Sequence, residues 1–121
     1  FRIAEALLDT ANGAELTVSY YSDKPPADMQ TSEQIACYGD EVLERFSAWW
    51  AGYPNKLGNA IVKTYFGQKP LHEVLERSTW HSGQHVRQIV MAMEEFMGVE
   101  PENPLTLNDF AGLPMPEKVW D

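Results

Sequence analysis

Residues 71–97 run without a proline between Pro70 and Gly98, and this bracket limits the fold more than any other feature of the chain. Proline suits a helix start, where its missing N–H is not needed, and glycine suits a helix stop, because it accepts the left-handed backbone that ends the last turn. Between them Leu71, Leu75, Val86, Ile89, Met93 and Phe96 recur at helical spacing, which predicts one long amphipathic helix with these residues on its buried stripe. A helix of that length, about 40 Å, needs other helices of similar reach to cover the stripe. The chain is therefore expected to be mainly α.

Two further helices are expected. Ile3, Ala4, Leu7, Leu8 and Ala11 place one from about Phe1 to Asn12, with Gly13 as its left-handed stop. No Ser, Thr, Asp or Asn stands ahead of it as a cap, so the chain is expected to open inside a helix, as an N-terminally truncated single domain covering 1–121. A second helix starts at "TSEQ", where Thr31 and Gln34 have the spacing of a capping box. Its stripe reads Ile35, Val42, Phe46 and Trp50, with Tyr38, Gly39 and Trp49 beside it, and "AGYPNKLGN" ends it. The paired prolines of "DKPPADMQ" predict a loop. Alternation in "ELTVSYYS" and in "AIVKTYFG" predicts two short extended segments that pair as a hairpin or ribbon. Four prolines in the last 23 residues exclude a long helix there; Leu105, Phe110, Leu113, Val119 and Trp120 predict an irregular tail anchored on the helices.

Composition narrows the partners. Eighteen acidic against nine basic residues give a net charge of −9, which repels phosphate backbones and anionic lipid, so neither nucleic acid nor membrane is an expected partner. The single Cys37 forms no intramolecular disulfide, which fits a reducing, cytoplasmic location, and it reads as a packing residue of the second helix. Four Trp, five Tyr and five Phe supply a core without metal or disulfide support.

The chemistry is concentrated in "STWHSGQHVRQ", which holds His81 and His85. At about 100° per residue the two lie within about 40° of each other, on the shoulder of the apolar stripe where a cleft between helices would form. Imidazoles one turn apart reach a single divalent ion. Gly83 between them carries a helix penalty of about 1 kcal/mol relative to Ala, understandable where a neighbouring backbone or a ligand comes close. Gln84, Arg87, Gln88 and Arg77 are the candidate supporting or substrate-binding groups; the competing reading for either arginine is a surface ion pair, for which Glu73 and Arg77 are correctly spaced. Ser82 stands where zinc peptidases of the H-E-x-x-H type carry their base, so that chemistry is excluded. His72 falls on the opposite side of the helix and cannot join the pair. The competing interpretation is a pair of polar residues satisfied by Ser78, Gln88 or water. Glu5 and Asp9, four apart, are candidate substitute ligands or simply solvated acids, and Asp109 is expected to support the tail locally beside Thr106.

"LHEVLERSTWHSGQHVRQIVMAMEEFMG" followed by "PLTLNDFAGLPMPEKVW" resembles the DinB-like superfamily of metal-dependent helical-bundle proteins. The resemblance covers about two thirds of the chain. It implies an up-down-down-up four-helix bundle, often dimeric, of which this chain holds three long helices and lacks the first, with a short extended segment and an irregular tail. It also implies a divalent metal, zinc, nickel or iron, held by His81, His85 and a third histidine on an earlier helix. No histidine occurs in that helix from Phe1 onward, so the third ligand is expected upstream of Phe1. Members of known activity are thiol-cofactor-dependent transferases and isomerases, which makes a low-molecular-weight thiol the expected cofactor and thiol transfer or hydrolysis the expected reaction. The alternative is a noncatalytic homodimeric binding module, with Trp80, Gln84, Arg87 and Met91 as its contact line unless the tail covers them.

Overall fold

The computed structural model describes residues 1–24, 27–53 and 58–120, of Tyr21 only the backbone. Pro25 and Pro26 of the expected loop, and residues 54–57 of the segment expected to end the second helix, lie outside the described residues. The chain is mainly helical with one small antiparallel hairpin: α1 (Arg2–Ala11), α2 (Ser19–Ser22), α3 (Ser32–Gly52), β1 (Ile61–Thr64), β2 (Gly67–Pro70) and α4 (Leu71–Ala92), the last continued by a π-helical turn, Met93–Met97. No helix among the described residues is long and apolar enough to cross a membrane. The contacts divide into two compact units, Phe1–Leu75 and Glu76–Asp121.

The first unit is built on α1. Ala6 and Leu7, at 1% and 2% exposure, pack with Leu16, Leu71 and Val74, and Phe46, Trp49, Tyr53 and Val62 close around them. Gly13 takes the left-handed backbone (φ 102°) just past α1. At the head of α3 the Thr31 hydroxyl accepts from Gln34 N (3.2 Å) while the Gln34 side chain accepts from Thr31 N (3.0 Å), so two orphan amides of the first turn are satisfied. The buried face of α3 runs through Gly39 and Val42 toward Phe46 and Trp49; Ile35 (44%) and Trp50 (41%), expected on the stripe, are exposed. Gly39 sets that choice, because the Phe1 ring occupies the space its Cβ would need, 2.6 Å away. Cys37, on the other side of α3, is exposed rather than packed.

The extended segments differ from expectation. β1 pairs in antiparallel register with β2, Ile61 opposite Pro70 and Thr64 opposite Gly67, and "ELTVSYYS" contributes only a single bridge from Leu16 to Thr64. Beyond Leu16 the chain turns into α2, where the Thr17 and Ser19 hydroxyls bond each other at 2.6 Å and the Ser22 hydroxyl reaches back to Val18 O. Side chains of this kind offer the backbone a local alternative to a ladder. Tyr20 is held by its hydroxyl on Asp9 (2.8 Å).

The second unit is the remainder of α4, the π turn and the tail. Gly98 closes the helix in the left-handed region (φ 65°). Thr106 N and its hydroxyl both donate to Asp109 Oδ2, at 2.6 and 2.8 Å, starting the 3-10 turn Leu107–Phe110. These bonds hold the Asp109 carboxyl below its ordinary value. Phe110 is buried over Gly83, whose missing Cβ would stand 2.6 Å from the ring. The glycine in mid-helix is thus explained by a side chain of the tail. In consequence Gly83→Ala is expected to lower stability in the native background, by overpacking of about 1–3 kcal/mol that outweighs the gain in helix propensity. In a Phe110→Ala background the same change is expected to become stabilising, by up to about 1 kcal/mol. Denaturant titration of the four proteins reads this change of sign.

The apolar stripe of α4 does not continue as a buried face. Leu71 is 2% exposed, whereas Val86, Ile89 and Phe96 are 38%, 59% and 82% exposed. Of the line Trp80, Gln84, Arg87 and Met91, expected as a contact surface unless the tail covers it, Gln84 and Arg87 receive the tail, with Gln84 only 9% exposed.

Candidate metal centre

His81 and His85 stand on successive turns of α4, as the spacing requires, with ring centroids 4.7 Å apart and planes inclined by 38°. His81 is half-buried and His85 exposed. Trp80 stacks beside His81 (5.7 Å, 30°), and the Arg77 guanidinium lies 5.8 Å from the Trp80 ring centre. Burial, the neighbouring His85 and the Arg77 charge all push the His81 imidazole below its ordinary value of 6.5. The shift favours the neutral ring, the form that binds metals. Because the unfolded chain takes this proton near 6.5 and the folded one resists it, the His81 contribution leaves stability highest above 6.5 and lowers it as pH falls toward the folded value. An NMR titration of His81 is expected to give a midpoint below that of free histidine; one at or above it contradicts the assignment.

Gln88 bridges His85 to the tail. Its Oε1 lies 2.9 Å from His85 Nδ1, and its Nε2 donates to Val119 O at 3.2 Å. Gln84 donates to Lys118 O (3.1 Å) and Val119 O (2.7 Å). Arg87 donates to Pro116 O (2.7 Å), to Glu117 O (3.3 Å) and to Gln84 Oε1 (3.0 Å). Gln84 and Arg87, read from the sequence as supporting or substrate-binding groups, are thus committed to backbone carbonyls of the tail, and Gln88 bonds His85. Lys69 forms an ion pair with Glu73 at 3.1 Å.

The other candidates belong to the first unit. His72 lies against Gly58 O, its Nδ1 at 3.3 Å. Glu5 and Asp9, partly exposed, are engaged by neighbouring side chains: Tyr38 donates to Glu5 (2.5 Å), Arg45 bonds Glu5 at 3.0 Å and approaches Asp9 at 3.6 Å, and Tyr20 holds the other Asp9 oxygen. The Tyr38 hydrogen bond, with the Arg45 and Arg2 charges, lowers the Glu5 pKa, while burial and the Glu5 bond raise that of Tyr38. Sequence reasoning missed this network; two acids four apart on α1, facing two tyrosines and an arginine, were its signal. Among the described residues no group of three or more His, Cys, Asp or Glu is arranged to hold a metal ion. Comparison of the chain with protein-family models, curated proteins and solved structures gives no match.

Proposed function

We propose that the protein is a metal-dependent enzyme on a DinB-like helical scaffold, with His81 and His85 holding one divalent ion for thiol transfer or hydrolysis. The observation that carries this reading is the facing pair of imidazoles on consecutive turns, 4.7 Å apart. The donor set suits zinc, nickel or iron, since neutral imidazole binds all three. The depressed His81 pKa reduces competition from protons, and the Gln88 contact fixes one nitrogen of His85 in the manner common to metal-bound histidines. A divalent ion at such a site lowers the pKa of a bound thiol or water enough to make a nucleophile at neutral pH. Two imidazoles are two donors, and the reading requires a further donor from outside the described residues. Equilibrium dialysis of metal-free protein against zinc, with and without the paired changes His81→Ala and His85→Ala, tests it: metal held by the parent and lost from the variant supports the reading, and equal content sinks it.

A second reading, a noncatalytic homodimeric helical module, is favoured by the exposure of Val86, Ile89, Phe96 and Met97 on one stretch of α4 and its π turn. Sedimentation equilibrium at micromolar concentration decides it, because a stable monomer removes the dimer.

A further inference from the structure

We infer that the C-terminal segment Pro116–Val119 acts through Gln88 to fix which nitrogen of His85 carries the proton, so that Gln88 is a positioning residue of the histidine pair. The purpose of this arrangement rests on the metal reading above; the arrangement itself does not. A backbone carbonyl only accepts hydrogen bonds. Val119 O faces Gln88 at 3.2 Å, so the Gln88 amide must present its NH₂ there. This leaves the amide oxygen toward His85, 2.9 Å from Nδ1. An amide oxygen also only accepts, so Nδ1 bears the proton and the lone pair of neutral His85 sits on Nε2.

Free histidine in water favours the opposite tautomer, with the proton on Nε2. The chain of contacts Val119 O, Gln88, His85 therefore reverses the intrinsic preference and leaves Nε2 ready to bind without a prior proton shift. The tail is held firmly enough to impose this. Gln84 donates to the Lys118 and Val119 carbonyls, Arg87 donates to those of Pro116 and Glu117, and Phe110 fills the notch at Gly83. Every acceptor in the strap is main chain. The proline-rich tail thus becomes a part of the site that supplies no ligand of its own.

The test is long-range ¹H–¹⁵N correlation of the histidine rings in the metal-free chain, at a pH above the histidine range. The parent is expected to show His85 as the Nδ1–H tautomer. Gln88→Leu is expected to return His85 to the Nε2–H form while leaving the His81 pattern unchanged. Gln88→Glu keeps an acceptor opposite Nδ1 and is expected to keep the Nδ1–H form, a rescue that a merely structural role for Gln88 does not predict. Cobalt(II) titration of the same proteins is expected to show affinity about 10–100-fold weaker in Gln88→Leu than in the parent. An Nε2–H His85 in the parent, or one whose tautomer is indifferent to Gln88→Leu, overturns the inference. If the tautomers behave as stated and none of the proteins takes up cobalt, the positioning inference stands and the metal reading fails.

Discussion

His81→Ala and His85→Ala, each made alone, are expected to weaken zinc or cobalt binding by more than the about 10–100-fold that loss of an outer partner of a metal ligand costs. The reason is geometric. Both rings stand on one helix, 4.7 Å apart, so the backbone has already placed the second donor when the first binds. Either substitution removes that advantage along with a ligand. Neither should unfold the protein: His85 is exposed and His81 only half-buried, and changes at such positions stay within about 0.5 kcal/mol when no buried group is orphaned. Competition titration against a chromophoric chelator, beside a thermal melt of each variant, separates the two effects. Unchanged affinity in either variant contradicts the pairing.

Leu7→Ala is expected to destabilise the protein by about 2–5 kcal/mol, the range for emptying a buried leucine site. Leu7 is 2% exposed and joins Ala6, Leu16, Leu71 and Val74 in the core of the first unit. That loss is a large fraction of the roughly 5–15 kcal/mol by which a domain is stable. Phe96→Ala is the matched control. Read from spacing alone, Leu7 and Phe96 are both stripe residues of amphipathic helices, yet Phe96 is 82% exposed, and its truncation is expected to cost under about 0.5 kcal/mol. Urea titration of both variants measures the contrast, and similar losses in the two would overturn the burial assignment.

Where local chemistry decides structure, the chain was legible. Gly13 and Gly98 do adopt the left-handed backbone that stops a helix, Thr31 with Gln34 does form the capping box, and Asp109 does serve Thr106 in the tail. Each of these needs only neighbours within a few residues. The hairpin was half legible: β1 alternates, but Gly67–Pro70 has no apolar pattern, and its place is set by pairing across the tight turn and by the Leu16 bridge. Helix faces were least legible. Apolar periodicity tells which residues share a side of α4, not whether another element covers that side, and the stripe is buried at Leu71 yet open at Ile89. Polar residues carried the opposite ambiguity. Gln84 and Arg87 look in sequence like groups awaiting solvent or substrate, whereas an extended, proline-rich tail has carbonyls without ladder partners, and these side chains are the donors that satisfy them. Of the candidate site, spacing placed His81 beside His85 and Gln88 within reach; the direction of the Gln88 amide depends on Val119, thirty-one residues away.

The central claim is that His81 and His85 share one divalent ion. A crystal of the protein grown or soaked with zinc, with anomalous diffraction recorded on both sides of the zinc edge, addresses it without reference to any reaction. The account predicts one peak placed about 2.0–2.1 Å from a ring nitrogen of each histidine, Nε2 in the case of His85. Rings turned away from each other, with the zinc signal elsewhere or bound to only one of them, would contradict it.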